Sequence, residues 1–150
     1  MSVKAQPEGY HSVTPYLICK NAAEAIEYYK QAFEAVELVA MKRPDGRVMH
    51  AELKIGDSII MLADEAPEMD ALSPQTIGGT PVSLVLYVAD VDVTFPKAIS
   101  LGAKVEREVS TQFYGDRTGG LVDPWGHRWY LTTHVEDVSP EEMKTRMKAS

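Results

Sequence analysis

Hydrophobic and polar positions change period several times along this chain, and each change marks an element. Residues 12–19 are rich in β-branched and aromatic side chains and predict a strand. Ala22, Ala25, Ile26, Tyr29 and Phe33 follow at helical spacing, with Asn21 placed to cap and Glu24 three residues on. Residues 36–42 alternate loosely as a strand. Pro44–Asp45–Gly46 is a turn, residues 48–55 the returning strand, and Gly56–Asp57 turns into a strand at 58–62. The same order then recurs. Residues 82–88 read as a strand and 92–101 as a helix stopped by Gly102, with Pro96 disturbing its first turns; strands follow near 103–111, 118–123 and 127–134. Ser139–Pro140–Glu141–Glu142 is a strong helix start, running to about residue 148.

The second half restates the first at a fixed offset of 69 residues, from Thr14 to Ser83 and from Met61 to Tyr130. A repeat this long means two copies of one supersecondary unit, not a solenoid. The expected fold class is α+β: two βαβββ modules that share a sheet and leave a cleft between them, plus a C-terminal helix. The chain reads as a single domain, 1–150, with module one at about 11–64, a connecting loop at about 65–81, module two at about 82–135 and the last helix at about 139–148. Residues 1–10 read as a loose polar arm. Residues 64–81 lack periodicity and read equally well as a flap over the cleft or as a solvated connector.

Composition narrows the functions. A formal net charge of −7, with no Lys/Arg cluster, argues against a nucleic-acid partner. The single Cys19, in an apolar strand, allows no internal disulfide and fits a small buried side chain in a reducing compartment. No apolar run approaches a membrane span, and the N-terminus lacks a signal peptide's apolar region. A cytoplasmic protein with no membrane partner is expected.

The run Phe113–Tyr114–Gly115–Asp116–Arg117–Thr118–Gly119–Gly120 and the later Asp123–Pro124–Trp125–Gly126–His127 turn, with the two repeated modules, carry a resemblance. Over about residues 10–138 the chain resembles the vicinal-oxygen-chelate superfamily of glyoxalase, bleomycin-resistance and extradiol dioxygenase proteins, and within it the PhnB-like branch. The resemblance implies a sheet curved around a cleft. In metal-dependent members His, Gln or Glu from the first and last strand of each module hold a divalent ion. Those places fall here at Thr14, Met61, Ser83 and Tyr130, none of which is a usual ligand for a hard cation. No metal and no cofactor are therefore expected.

The four histidines are His11, His50, His127 and His134; His11, His50 and His127 read as satisfied or exposed side chains rather than ligands, with an unconventional metal site at His50 left open. Asp116–Arg117 reads as a local ion pair fixing a turn. Thr14, Tyr16, Met61, Ser83, Phe113, Tyr114, Arg128 and Tyr130 are the expected ligand-binding residues, lining an apolar pocket with a few hydroxyls suited to a small, flat ligand. Met61 and Tyr130 are expected to face each other. Three functions stay open: a metal-free small-molecule binding or resistance-type protein; a metal-dependent lyase or isomerase with displaced ligands; and a cofactor-free enzyme using Tyr130 or Asp116 as acid or base. A homodimer is expected, because edge strands need cover and the last helix offers Met143 and Met147.

Overall fold

In the first half, Tyr16–Cys19 (β1) leads into helix Ala22–Phe33 (α1), followed by Val36–Lys42 (β2), Val48–Ile55 (β3) and Ser58–Asp64 (β4). The computed structural model describes residues 2–149. The chain divides into two compact units, one ending at Gly79 and the other beginning at Thr80. Strands of module one pair in the order β1-β4-β3-β2, with β1 parallel to β4 and the remaining pairs antiparallel. One face of this sheet carries Ala51, Leu53, Ile60 and Leu62, buried with Ala25, Ile26, Tyr29 and Phe33 of α1. Fully burying a side chain such as Ile26 or Leu62 contributes about 1.5–3 kcal/mol relative to exposure. The registers Glu52↔Met61 and Tyr16↔Met61 put Tyr16, Glu52 and Met61 on the opposite face.

Module two repeats the plan: Ser83–Tyr87 (β5), Val91–Ser100 (α3), Lys104–Thr111 (β6), Asp116–Val122 (β7) and Arg128–His134 (β8), paired β5-β8-β7-β6. The fold is thus α+β, with two βαβββ modules built on four-stranded mixed sheets. The repeat extends to the register: Tyr16↔Met61 and Leu17↔Leu62 in module one match Val85↔Tyr130 and Leu86↔Leu131 in module two, each 69 residues on.

The helix starts repeat as well. Asn21 does not cap α1: it has φ 64° and its side chain makes no cap bond. The Ala22 N–H instead donates to Asp64 Oδ1 (3.0 Å), and Val48 N–H donates to the other oxygen (2.7 Å). In module two the Val91 N–H donates to Thr133 Oγ1 (2.8 Å), whose own proton goes to Val88 O (2.9 Å). Ala22 to Val91 and Asp64 to Thr133 are again 69 residues apart. The last strand of each module thus caps the helix of its own module.

The connecting segment is more ordered than its composition predicts. It holds a 3-10 turn, Pro67–Met69, and a short helix, Pro74–Ile77 (α2), capped by fully buried Ser73. The Ser73 N–H donates to Glu65 Oε1 (2.7 Å); the Ser73 hydroxyl, then the Thr76 hydroxyl, then this N–H hold the Glu65 carboxyl down at about 2. After module two, Pro140–Ala149 (α4) starts where expected, with Glu142 N–H donating to Ser139 Oγ (3.1 Å). Among the described residues no helix is long and apolar enough to cross a membrane.

Candidate functional site

Each sheet has one face packed by its own helix and one face that carries polar chemistry. In module one, period two along β3 places His50 and Glu52 beside Tyr16 on this second face. His50 Nε2 lies 2.7 Å from Glu52 Oε2, and His50 Nδ1 lies 2.8 Å from the Tyr16 hydroxyl. The tautomer whose Nε2–H donates to the carboxylate leaves Nδ1 to accept the Tyr16 proton. The arm is not loose: the Tyr10 hydroxyl donates to Glu52 Oε1, and His11 Nε2 lies 3.0 Å from Asp57 O. The bonds from Tyr10 and then His50 hold the Glu52 carboxyl below its usual range, while burial and the Glu52 charge raise the Tyr16 hydroxyl. A concavity of about 450 Å³ beside this cluster is lined by Thr14, Met61, Glu52 and Tyr10, among others.

In module two the uncovered face forms a larger concavity, about 640 Å³. Val85 and Tyr87 come from β5, Tyr130 and Thr132 from β8, Asp116, Thr118 and Gly120 from β7. Arg107, Glu108 and Ser110 of β6 close one side with Gln112, and Tyr114 comes from the loop before β7. Gly120 keeps the floor open, since a Cβ there would lie 3.0 Å from the Tyr130 ring. Asp116 is nearly buried, at 9% exposure, and is fully engaged. It accepts from the Tyr87 hydroxyl (3.0 Å) and lies 2.7 Å from His134 Nδ1, whose Nε2 lies 2.7 Å from Asp137. The bonds to Asp137 and then Asp116 raise the His134 pKa, and the bond to Asp116 raises that of Tyr87.

Asp116 and Arg117 are not an ion pair with each other. Neighbours on a strand point to opposite faces, so Arg117 turns away and grips Asp92 of α3 through Nε and Nη2 (2.9 and 3.0 Å).

The expected ligand-binding residues fall into separate groups. Tyr114 and Tyr130 share the module-two concavity; Thr14 and Met61 share the module-one concavity. Tyr16 is bonded to His50. Arg128 pairs with Glu106 (3.3 Å), and Ser83 is its register partner on β5. Phe113 packs edge-on against Tyr114, ring centroids 5.2 Å apart. Sequence reasoning did not single out Tyr87, Arg107, Glu108, Tyr10 or Glu52. The alternation Ser83, Val85, Tyr87 contained the signal for Tyr87; the others depend on pairings distant in sequence.

This fold, with two βαβββ modules each exposing one chemically equipped sheet face, defines a class. The chain belongs to the Glyoxalase/Bleomycin resistance protein/Dioxygenase superfamily, whose sequence profile matches residues 9–131. An uncharacterised protein of Mycobacterium bovis is 38% identical over 152 residues, covering 99% of this chain and 97% of its own length. Among solved structures, TioX from Micromonospora sp. ML1 superposes with a TM-score of 0.66 at 22% identity, covering 83% of this chain and 99% of that one. The PhnB protein from Bacillus cereus gives 0.64 at 18%, covering 82% and 99%. FosX, a fosfomycin resistance protein from Listeria monocytogenes solved with Mn(II) and sulfate, gives 0.64 at 16%, covering 91% and 97%. At these identities the structural likeness is one of fold.

At the four positions where the resemblance would place the ligands of a divalent ion, the chain carries the Thr14 and Ser83 hydroxyls, the Met61 thioether and the Tyr130 phenol, with no carboxylate or imidazole among them. These residues do not fit a hard divalent cation. His50 has both ring nitrogens engaged, by Tyr16 and Glu52. Among the described residues no three His, Cys, Asp or Glu side chains are grouped to hold a metal ion.

Proposed function

We propose that this protein binds a small organic molecule on the open face of module two, without a metal ion, as a sequestering or resistance-type member of its superfamily. The observation that carries this reading is the concavity of about 640 Å³, walled by Tyr87, Tyr114 and Tyr130 above a floor of Gly120 and Thr132. Its volume lies within the roughly 300–1,000 Å³ of small-molecule sites, and aromatic walls with a few fixed polar groups are what such sites present. The donor set at Thr14, Met61, Ser83 and Tyr130 supports the metal-free half of the proposal.

Two measurements test it. A fragment screen followed by amide NMR should give hits that shift residues 114–120 and 128–132. Tyr130→Ala or Tyr114→Ala should weaken those hits by about tenfold, the loss of one aromatic wall, with the folded spectrum retained. Hits confined elsewhere count against the site. Near one equivalent of zinc, nickel, manganese or iron after dialysis counts against metal-free binding.

Self-association belongs to the same proposal. Each sheet has two outer strands, β1 and β2 in one, β5 and β6 in the other. A homodimer is the economical cover for such edges.

A further inference from the structure

We propose that the module-two site is built for a zwitterion: a ligand carrying a carboxylate and an ammonium close together on an aromatic or apolar body, as an amino acid or a small amino-acid derivative does. This rests on the reading that a small molecule binds this face and names the class.

The pairing of β6 with β7 is irregular. β6 pairs with β7 through Arg107↔Gly120 and then Ser110↔Thr118. Between these pairs β6 advances three residues and β7 only two, so β6 carries one extra residue. Such a bulge breaks the alternation of faces and re-aims a side chain. Val109 points toward α3, since it and Phe95 are what a Cβ on Gly119 would meet. Arg107 and Glu108, adjacent in the chain, both line the concavity. Regular pairing would have sent one of them to the other face.

The result is a positive and a negative group side by side on one wall. Neither has a hydrogen-bond or ion-pair partner among the described residues, and they do not pair with each other. The third charged residue of the lining, Asp116, is taken up by Tyr87 and His134. Arg128, at the same end of the sheet as Ser83, is held by Glu106. The wall therefore offers one free guanidinium and one free carboxylate. The guanidinium fork matches a carboxylate, and the Glu108 carboxylate accepts from an ammonium.

Gly120 ties this pair to the aromatic wall. A Cβ at that position would lie 3.4 Å from Arg107 Cβ and 3.0 Å from the Tyr130 ring. The bare glycine leaves the Arg107 stem and the Tyr130 ring bordering one gap, with Tyr114 on the same rim. A ligand whose charged head meets β6 would lay its body between the tyrosines.

The test uses the full chain and matched probes. L-tryptophan, indole-3-propionate and tryptamine share one ring system and carry both charges, the negative charge alone, and the positive charge alone. L-phenylalanine, 3-phenylpropionate and phenethylamine repeat the set. Amide titrations at Gly119, Gly120 and Tyr130 should rank the zwitterion at least about fivefold tighter than either singly charged relative in one of the two series. Arg107→Gln should abolish the advantage over the amine, and Glu108→Gln the advantage over the acid. The proposal is overturned if singly charged probes bind equally well, if both substitutions leave the ranking unchanged, or if neither zwitterion binds. Fragment hits at Tyr114 and Tyr130 with no preference for zwitterions would sink this inference and leave the small-molecule reading standing; no hits at that face would sink both.

Discussion

The Asp123 carboxylate, 3% exposed, accepts N–H groups from Trp125 (2.9 Å), His127 (3.0 Å) and the Trp129 indole (2.9 Å). Composition alone makes this stretch a turn; the buried charge makes it the anchor of β8. Asp123→Ala would strand several donors, each costing about 1–3 kcal/mol when buried without a partner. The expected loss is on the order of 2–4 kcal/mol in urea unfolding, and a change below about 0.5 kcal/mol contradicts the anchoring role. His134 acts with the opposite pH sense from a salt-bridged acid. Its folded pKa is raised above the ordinary value of about 6.5 by Asp137 and Asp116. Its contribution is therefore complete below the unfolded pKa and disappears as pH rises through the folded one. Paired thermal melts should show the stability gap between the protein and His134→Gln largest near pH 5 and shrinking as pH rises. A gap that widens with pH would contradict the imidazolium clamp.

Helix α4 buries none of its side chains, and ten isolated residues make a marginal helix. Arg146 secures it. Its guanidinium binds both Glu136 oxygens (2.8 and 2.9 Å), Glu142 (3.1 Å) and the Phe113 carbonyl (2.9 Å). That last bond reaches the loop that brings Tyr114 to the site. The loop is also pinned by Gly115, at φ 102°, where a Cβ would fall 2.1 Å from Glu136 O. Arg146→Ala should change global stability by no more than about 1 kcal/mol, as befits exposed ion pairs. Hydrogen exchange should accelerate across residues 140–149 and 113–115, and unchanged protection there would mean that α4 is held by something else. The sequence showed the α4 start because Ser139–Pro140 is local grammar. The same grammar at Ser73–Pro74 opens a helix of only four residues, too short to leave a periodic run in the sequence. Asn21 looked like the α1 cap because local spacing cannot reveal Asp64, which comes from a strand 42 residues away. The β6 bulge is equally hidden, being a property of two strands together.

At the scale of the chain, the repeat was legible because duplication leaves a fixed offset. It survives in register and in the helix caps even where the residues differ, as with Asp64 and Thr133. The chemistry of the open faces was only half legible. Tyr114 and Tyr130 were among the expected residues and line the module-two concavity, but the Tyr87–Asp116–His134 chain joins three elements that only folding brings together. The proposed dimer is checked by light scattering at micromolar concentration: a mass about twice the 16.6 kDa of one chain is expected, and a monomer mass contradicts it.

Both tryptophans of the chain, Trp125 and Trp129, are buried in module two around Asp123. Module one contains tyrosines but no tryptophan. Intrinsic tryptophan emission is therefore a window onto one half of the molecule. Far-ultraviolet dichroism, by contrast, registers the helices and strands of both halves. Coincident curves from the two probes would signify a single cooperative transition, and separated curves would resolve the duplicated halves as distinct folding units within one polypeptide.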